Sequence, residues 1–311
     1  MKKILITGAA GFIASHLIKK FLDDGEFVIG IDNFYTGFES NIEPFLKNEN
    51  FKFVQHDVIT PYHFDVDEIY NLACPASPPH YQRNPIYTFK TCIFGALNAL
   101  ELAKKTGAKL LQTSTSEVYG DAMVYPQDEK YFGNVNPNGI RACYDEGKRA
   151  SETLICDYNR EYGLNAKIAR IFNTYGENMD VNDGRVVSNF IIQALNNEDI
   201  TIYGDGSQSR SFCYVKDLVE GLTLFMKSDF TGPLNLGNPC EFTVKDFANY
   251  VIKLTSSKSK CVYLPLPQDD PHKRKPDISL AREKIGFEPK YTIEQGLKNT
   301  VEYFKNKIKQ C

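Results

Sequence analysis

Tyr144 and Lys148 stand four residues apart in Tyr144-Asp145-Glu146-Gly147-Lys148, about thirty positions after the polar run Thr113-Ser114-Thr115-Ser116-Glu117. On a helix this spacing sets an ammonium one turn from a phenol and favours the ionised phenolate. From an ordinary phenol pKa of about 10, making a base that works near neutrality takes roughly 4 kcal/mol. One cation at about 4 Å, in a medium of effective dielectric about 20, supplies that order of energy. The chain carries its own control in Tyr303 and Lys307, which repeat the spacing with no hydroxyl run or glycine turn upstream. Spacing alone is therefore weak, and the surroundings must decide.

The second chemical signal is Gly8-Ala9-Ala10-Gly11-Phe12-Ile13-Ala14. After a strand and before a helix, such glycines let the backbone approach a pyrophosphate, which then rests on the helix N-terminus. Asp32 closes the next strand, where its carboxylate accepts hydrogen bonds from an adenosine ribose and repels a 2'-phosphate, so NAD is favoured over NADP. Asp57 follows the third strand; an adenine contact and a plain surface turn both fit it.

The elements that must position these groups read as alternating strands and helices. Ile4 to Ile6, Phe12 to Leu22 and Phe27 to Ile31 form a βαβ unit. Strands are expected at Phe51 to Val54, Glu68 to Leu72, Lys109 to Thr113 and Asn165 to Arg170, with helices at Thr88 to Lys105 and Asp145 to Tyr162. The pattern predicts an α/β fold, a Rossmann-type doubly wound parallel sheet. After Asn173 it loosens into helices near Val187 to Asn196, Val215 to Lys227 and Val244 to Leu254 with short strands between them. The expected division is a dinucleotide-binding region over 1–172 and a smaller C-terminal α/β substrate-binding region over 173–311, interleaved at their boundary. Thr292-Ile293-Glu294-Gln295 opens the last helix as a capping box. The Pro75 to Tyr81 segment is too proline-rich for a helix and is expected as a rigid loop.

At 311 residues and net charge −3 the chain has room for a large core and no polyanion-binding balance, so no nucleic-acid partner is expected. Its eight cysteines form no C-x-x-C pair and its five histidines show no ligand spacing. Reduced thiols, no metal site and a cytoplasmic location follow as expectations. No apolar run reaches membrane-spanning length, and no leader is expected ahead of the first strand.

Together these residues resemble the extended short-chain dehydrogenase/reductase family that acts on nucleotide sugars, over essentially the whole chain. The resemblance implies that Tyr144 takes the proton of a sugar 4-hydroxyl while hydride passes to NAD, that Lys148 lowers the tyrosine pKa and holds the nicotinamide ribose, and that Thr115 hydrogen-bonds the same hydroxyl. It implies a cofactor-contacting set of Gly8, Gly11, Phe12, Ile13, Asp32, Asn33, Asp57, Val58, Leu72, Ala73, Tyr144 and Lys148. Longer runs, Cys74 to Tyr81, Thr113 to Gly120, Ile171 to Gly176, Asp183 to Phe190, Ser209 to Phe212 and Asp270 to Asp277, resemble the members that decarboxylate UDP-glucuronate to UDP-xylose. A UDP-sugar partner is then held by Pro75, Ser116, Glu117, Asn173, Arg185, Tyr203, Gln208, Arg210 and Arg274. A 4,6-dehydratase of the family carries Asp-Glu where this chain has Ser116-Glu117, and a serine is a poor acid for expelling a 6-hydroxyl. A uronic acid oxidised at C4 is a β-keto acid and needs no such acid; Glu117 would orient the ring or help deliver a proton to C5. The alternatives are a UDP-sugar 4-epimerase or 4,6-dehydratase and, from another class, a non-catalytic NAD-binding sensor. The family also implies a homodimer through the helices near Thr88 to Lys105 and Tyr144 to Tyr162, although those faces serve equally as intramolecular core.

Overall fold

In the computed structural model, which describes residues 1–265 and 273–309, the chain opens with β1 (Lys3–Thr7), α1 (Phe12–Asp23), β2 (Phe27–Asp32), the short α2 (Glu39–Ile42), β3 (Phe51–Gln55) and β4 (Glu68–Asn71). Then come α3 (Pro78–Arg83), α4 (Pro85–Thr106), β5 (Lys109–Thr115), α5 (Ala142–Tyr162) and β6 (Ala166–Ile171). β7 (Thr174–Tyr175), α6 (Val186–Leu195), β8 (Ile200–Tyr203), β9 (Ser209–Ser211), β10 (Cys213–Tyr214), α7 (Val215–Lys227) and β11 (Pro233–Leu236) follow. The chain ends with β12 (Glu241–Thr243), α8 (Val244–Thr255), β13 (Cys261–Leu264), β14 (Lys273–Arg274), α9 (Ser279–Ile285) and α10 (Ile293–Ile308). Asp270, Pro271 and His272, part of one of the runs above, lie outside the described residues.

Seven strands form one sheet in the order β11-β6-β5-β4-β1-β2-β3, and every pairing in it is parallel. Strands covered on both faces should read as continuous apolar runs, and Ile4, Leu5 and Ile6 are each at most 1% exposed. The order reverses between β1 and β4, and an open α/β sheet receives its ligand in the crevice outside such a switch point. Here Thr7 stitches the two strands: its hydroxyl donates to Asn71 Oδ1 at 2.6 Å and accepts from the Leu72 and Ala73 N–H groups at 3.0 and 3.1 Å. Gly8 turns out of β1 at φ +69°, and a Cβ there would lie 2.9 Å from Ala73 Cα. The glycine is thus required by both conformation and space.

Beyond β6 the chain builds smaller sheets over the carboxyl ends of the strands. β8 pairs with β13, and β9 is flanked by β12 and β14. In the parallel β9–β14 pair Arg274 stands opposite Arg210, two arginines brought into register from 64 residues apart. α10 starts with a capping box in which Thr292 and Gln295 cap each other's backbone. One expectation fails. Part of the proline-rich segment is helical, because Pro78 and Pro79 occupy the first turn of α3, where a missing N–H costs nothing and φ is already suited to a helix.

Candidate active site

A cavity of about 620 Å³ opens over the switch point. Its first wall is the turn from β1 into α1. Gly11 precedes α1 without any side-chain cap, which leaves the first N–H groups of the helix facing the cavity, and a Cβ at Gly11 would stand 2.9 Å from the Gly8 carbonyl. Gly8, Gly11, Phe12, Ile13 and Leu72 line this wall. Behind it, Asp32 accepts from Ala10 N–H at 3.0 Å and Phe34 N–H at 2.7 Å, and each oxygen keeps a lone pair for a ribose hydroxyl. An uncapped helix end, a turn without side chains and a carboxylate at the end of β2 fit a dinucleotide lacking a 2'-phosphate. Asp32, Asn33, Asp57, Val58, Ala73 and Pro75 are not among the lining residues. Asn33 donates to Asp57 at 3.1 Å, the Tyr87 hydroxyl donates to Asp57 at 2.8 Å, and Val58 is buried beneath Gly95 of α4. Ala73 and Pro75 flank Cys74, which does reach the cavity.

The second wall is the end of β5 against α5. Tyr144 is 6% exposed, and its ring lies flat against Tyr81 of α3, with centroids 5.1 Å apart and planes within 5°. Lys148 is buried and donates to the Thr113 carbonyl at 2.8 Å, its Nζ 5.8 Å from the Tyr144 ring. The amine is thus fixed by β5 rather than free to rotate. The phenol is another matter. Burial, reinforced by the neighbouring Cys74, pushes its pKa well up, and the Thr115 hydrogen bond pulls the other way without prevailing. Burial thus opposes the phenolate that the lysine's spacing favours.

Glu117 is the second residue of the turn after β5, which Thr115 caps: the Thr115 hydroxyl accepts from the Glu117 N–H at 3.2 Å. Arg274 reaches its carboxylate at 2.6 and 3.0 Å, and Arg141 closes on it from the other side. Burial would raise this carboxyl, but Arg274 and then Arg141 outweigh it and hold it below the ordinary range. Glu117 is an ionised anchor for two guanidinium groups. Ser116, Asn173, Arg185, Tyr203, Gln208, Arg210 and Arg274 share the cavity lining, so the expected sugar-binding residues other than Pro75 converge on one space. Arg185 pairs with Asp183, and Gln208 donates to the Tyr203 carbonyl.

Three residues here were not singled out as site residues by the sequence. Arg141 precedes α5 in a stretch without periodicity. Tyr81 was legible only as part of a longer run. Asp145, next to Tyr144, reads as a solvated helix charge, yet it is 6% exposed, and its Oδ1 has no hydrogen-bond partner among the described residues. Burial, with the charge of Glu117, pushes its pKa to about 7. Spacing could find none of these, because each depends on segments packed from far along the chain.

The sequence profile of the NAD dependent epimerase/dehydratase family matches residues 4–237. A UDP-glucuronic acid decarboxylase of Danio rerio is 53% identical over 307 residues, 99% of this chain and 73% of that protein. Among solved structures, the UDP-glucose 4-epimerase of Thermotoga maritima with UDP-glucose superposes at TM-score 0.90 with 31% identity, covering 98% of this chain and 99% of that one. A UDP-glucuronic acid 4-epimerase of Bacillus cereus, in complex with UDP-glucuronic acid and NAD, superposes at 0.87 with 25% identity, covering 98% and 99%. With a parallel sheet, a glycine turn at its switch point, a tyrosine and lysine on α5 facing the end of β5, and these likenesses, the chain belongs to the NAD-dependent epimerase/dehydratase family.

Proposed function

We propose that this enzyme converts UDP-glucuronate to UDP-xylose in three stages: oxidation at C4, loss of the C6 carboxylate as carbon dioxide, and re-reduction at C4. When bound, NAD supplies the hydride acceptor for C4, returns the hydride at the end, and adds a positive charge near the Tyr144 hydroxyl. Tyr144 takes the 4-hydroxyl proton and later gives it back, Thr115 holds the same hydroxyl, and Lys148 steadies the negative phenol oxygen. With a carbonyl at C4 the carboxylate lies β to it, so the electrons of the breaking C5–C6 bond flow into the ketone and no leaving-group acid is needed; the resulting enolate takes a proton from water at C5, which restores the C4 ketone for re-reduction. Arg210, Arg185 and Arg274 hold the diphosphate and sugar, Asn173 and Ser116 contact the sugar end, and Tyr203 and Gln208 lie at the uridine. Glu117 keeps Arg141 and Arg274 aimed inward rather than acting as the acid itself. Gly8, Gly11, Phe12, Ile13 and Leu72 cradle the dinucleotide; Asp32 meets the adenosine ribose, and Asn33, Asp57, Val58 and Ala73 brace its far end.

The observation that carries this reading is the ionised Glu117 between two arginines beside Tyr144. A 4,6-dehydratase needs a neutral acid at this point; no second carboxyl adjoins Glu117 in the turn after β5, and the raised carboxyl of Asp145 is not among the residues lining the cavity. The decarboxylase relative at 53% identity supports the same choice. NMR of products after UDP-glucuronate is added tests it: UDP-xylose with release of carbon dioxide is expected. UDP-galacturonate would mean an epimerase, and no turnover of any UDP-sugar would mean a sensor.

We also propose residues 1–172 as the cofactor region and 173–311 as the nucleotide-sugar region, with β11 of the second laid into the sheet of the first. A homodimer through α4 and α5 is supported by Ile86, Phe89 and Phe94, large apolar side chains 70%, 42% and 43% exposed on α4. Light scattering on the purified protein tests the mass. No helix among the described residues is long and apolar enough to cross a membrane, and with a net charge of −3 we place the enzyme in the cytoplasm, without a nucleic-acid partner.

A further inference from the structure

The wall beneath Tyr144 contains two thiols in contact. Cys74, on the loop leaving β4, lines the cavity, and its Sγ lies 3.4 Å from Sγ of Cys92 on α4. Cys92 is 3% exposed and sits where α4 crosses α5; a Cβ on Gly147, between Tyr144 and Lys148, would come within 3.0 Å of its sulfur. One thiol thus faces the cavity and the other waits behind it, the arrangement of an attacking and a resolving sulfur. A disulfide needs about 2.05 Å, so closure asks the sulfurs to approach by about 1.3 Å.

We propose that Cys74 and Cys92 are a peroxide-reactive dithiol that closes into a disulfide under the catalytic tyrosine and lysine. The Cys74 sulfur attacks one oxygen of hydrogen peroxide; the S–O bond forms, the O–O bond breaks, and the departing hydroxide leaves as water with the thiol proton. The Cys92 sulfur then attacks Cys74; the S–S bond forms, the S–O bond breaks, and a second water leaves with the Cys92 proton. Two electrons pass from the sulfurs to the peroxide, and two thiols with one peroxide give one disulfide and two waters. Although burial disfavours a thiolate at Cys74, the contact with Cys92 and the Lys148 ammonium prevail and lower its pKa, whereas that of Cys92 is raised well up by Cys74 and by burial. The asymmetry suits Cys74 as the attacker. The bond would tie the β4 loop to α4 and shift the packing under Gly147, at the turn that sets the tyrosine against the lysine.

The test treats the full chain with hydrogen peroxide, removes the excess with catalase, and digests without reductant. The expected result is a peptide pair linked through Cys74 and Cys92, two hydrogens lighter than the free pair. Turnover of UDP-glucuronate should fall at least tenfold and return with dithiothreitol. In Cys92→Ser, and in Cys92→Ala should the serine destabilise the helix, untreated activity is kept, the linked pair is absent, and dimedone captures a sulfenic acid on Cys74 instead. Unlinked, unmodified peptides after peroxide, or a full yield of linked peptide with unchanged turnover, would overturn the proposal. The linked mass is read without any assay, so inactivity toward UDP-glucuronate before treatment counts against the proposed function and not against the dithiol.

Discussion

Two tyrosine–lysine turns with identical spacing lie in this molecule, and their local geometry is nearly the same. Lys148 Nζ is 5.8 Å from the Tyr144 ring, and Lys307 Nζ is 5.9 Å from the Tyr303 ring. Everything around them differs. Lys148 is buried and bonded to the Thr113 carbonyl, whereas Lys307 points to the surface and meets Ser40 Oγ at 3.2 Å. Tyr144 stacks on Tyr81 and opens on a cavity lined with arginines, whereas Tyr303 packs on the core from α10, its pKa pushed by burial to about 12. Helix periodicity makes such a pair anywhere; the end of β5 and a charged cavity make one of them useful.

The sharpest way to break the comparison is to remove both phenols. Tyr144→Phe should cut kcat on UDP-glucuronate by roughly a thousandfold while calorimetry shows NAD binding retained, and Tyr303→Phe should stay within about twofold of the parent. Comparable losses in the two variants would mean that α5 holds no special chemistry. Next in size, Lys148→Met should lower kcat by roughly a hundredfold and raise the Kd for NAD, against no change for Lys307→Met. A third contrast lies within the cavity. Arg274→Ala takes one of two cations from the buried Glu117, so thermal unfolding should show a loss of roughly 2 kcal/mol and KM for the UDP-sugar should rise about tenfold. A variant with parental KM would remove Arg274 from the binding site.

How far the sequence could see follows the same division. The βαβ opening, the glycine turn and the extents of α6 and α7 to within a residue were legible because their periodicity is local, whereas α4 and α5 begin three residues before the expected Thr88 and Asp145. The tyrosine, lysine and threonine could be singled out because they lie within about thirty residues of one another around a single strand–helix unit. Arg210 and Arg274 could be suspected separately, but their alignment comes from a parallel pairing across 64 residues, which no window of sequence contains. Arg141 lies 24 residues from Glu117 in an aperiodic stretch. The lysine's distance followed from helix spacing, but the desolvation that opposes its effect depends on α3, α4 and the β4 loop closing over the ring, which no local pattern shows.

Asp145 tests that last point through stability rather than turnover. It adjoins Tyr144, yet its nearest cation, Arg141, lies 3.8 Å away and already serves Glu117. Its carboxyl therefore holds a proton up to about pH 7 in the folded protein, against about 4 in the unfolded chain. The folded state binds that proton more tightly, so the stability it confers is complete below about pH 4 and is lost as the pH rises through 7. Asp145→Asn keeps the shape and removes the charge. Its unfolding free energy should match the parent near pH 4 and exceed it increasingly up to pH 8, by at most roughly 4 kcal/mol. A constant difference across that range would mean that the carboxyl is ionised throughout and that Arg141 is shared between Asp145 and Glu117. The arginine would then have to neutralise two carboxylates, and the grip that keeps Glu117 charged would rest more heavily on Arg274, with Arg210 behind it.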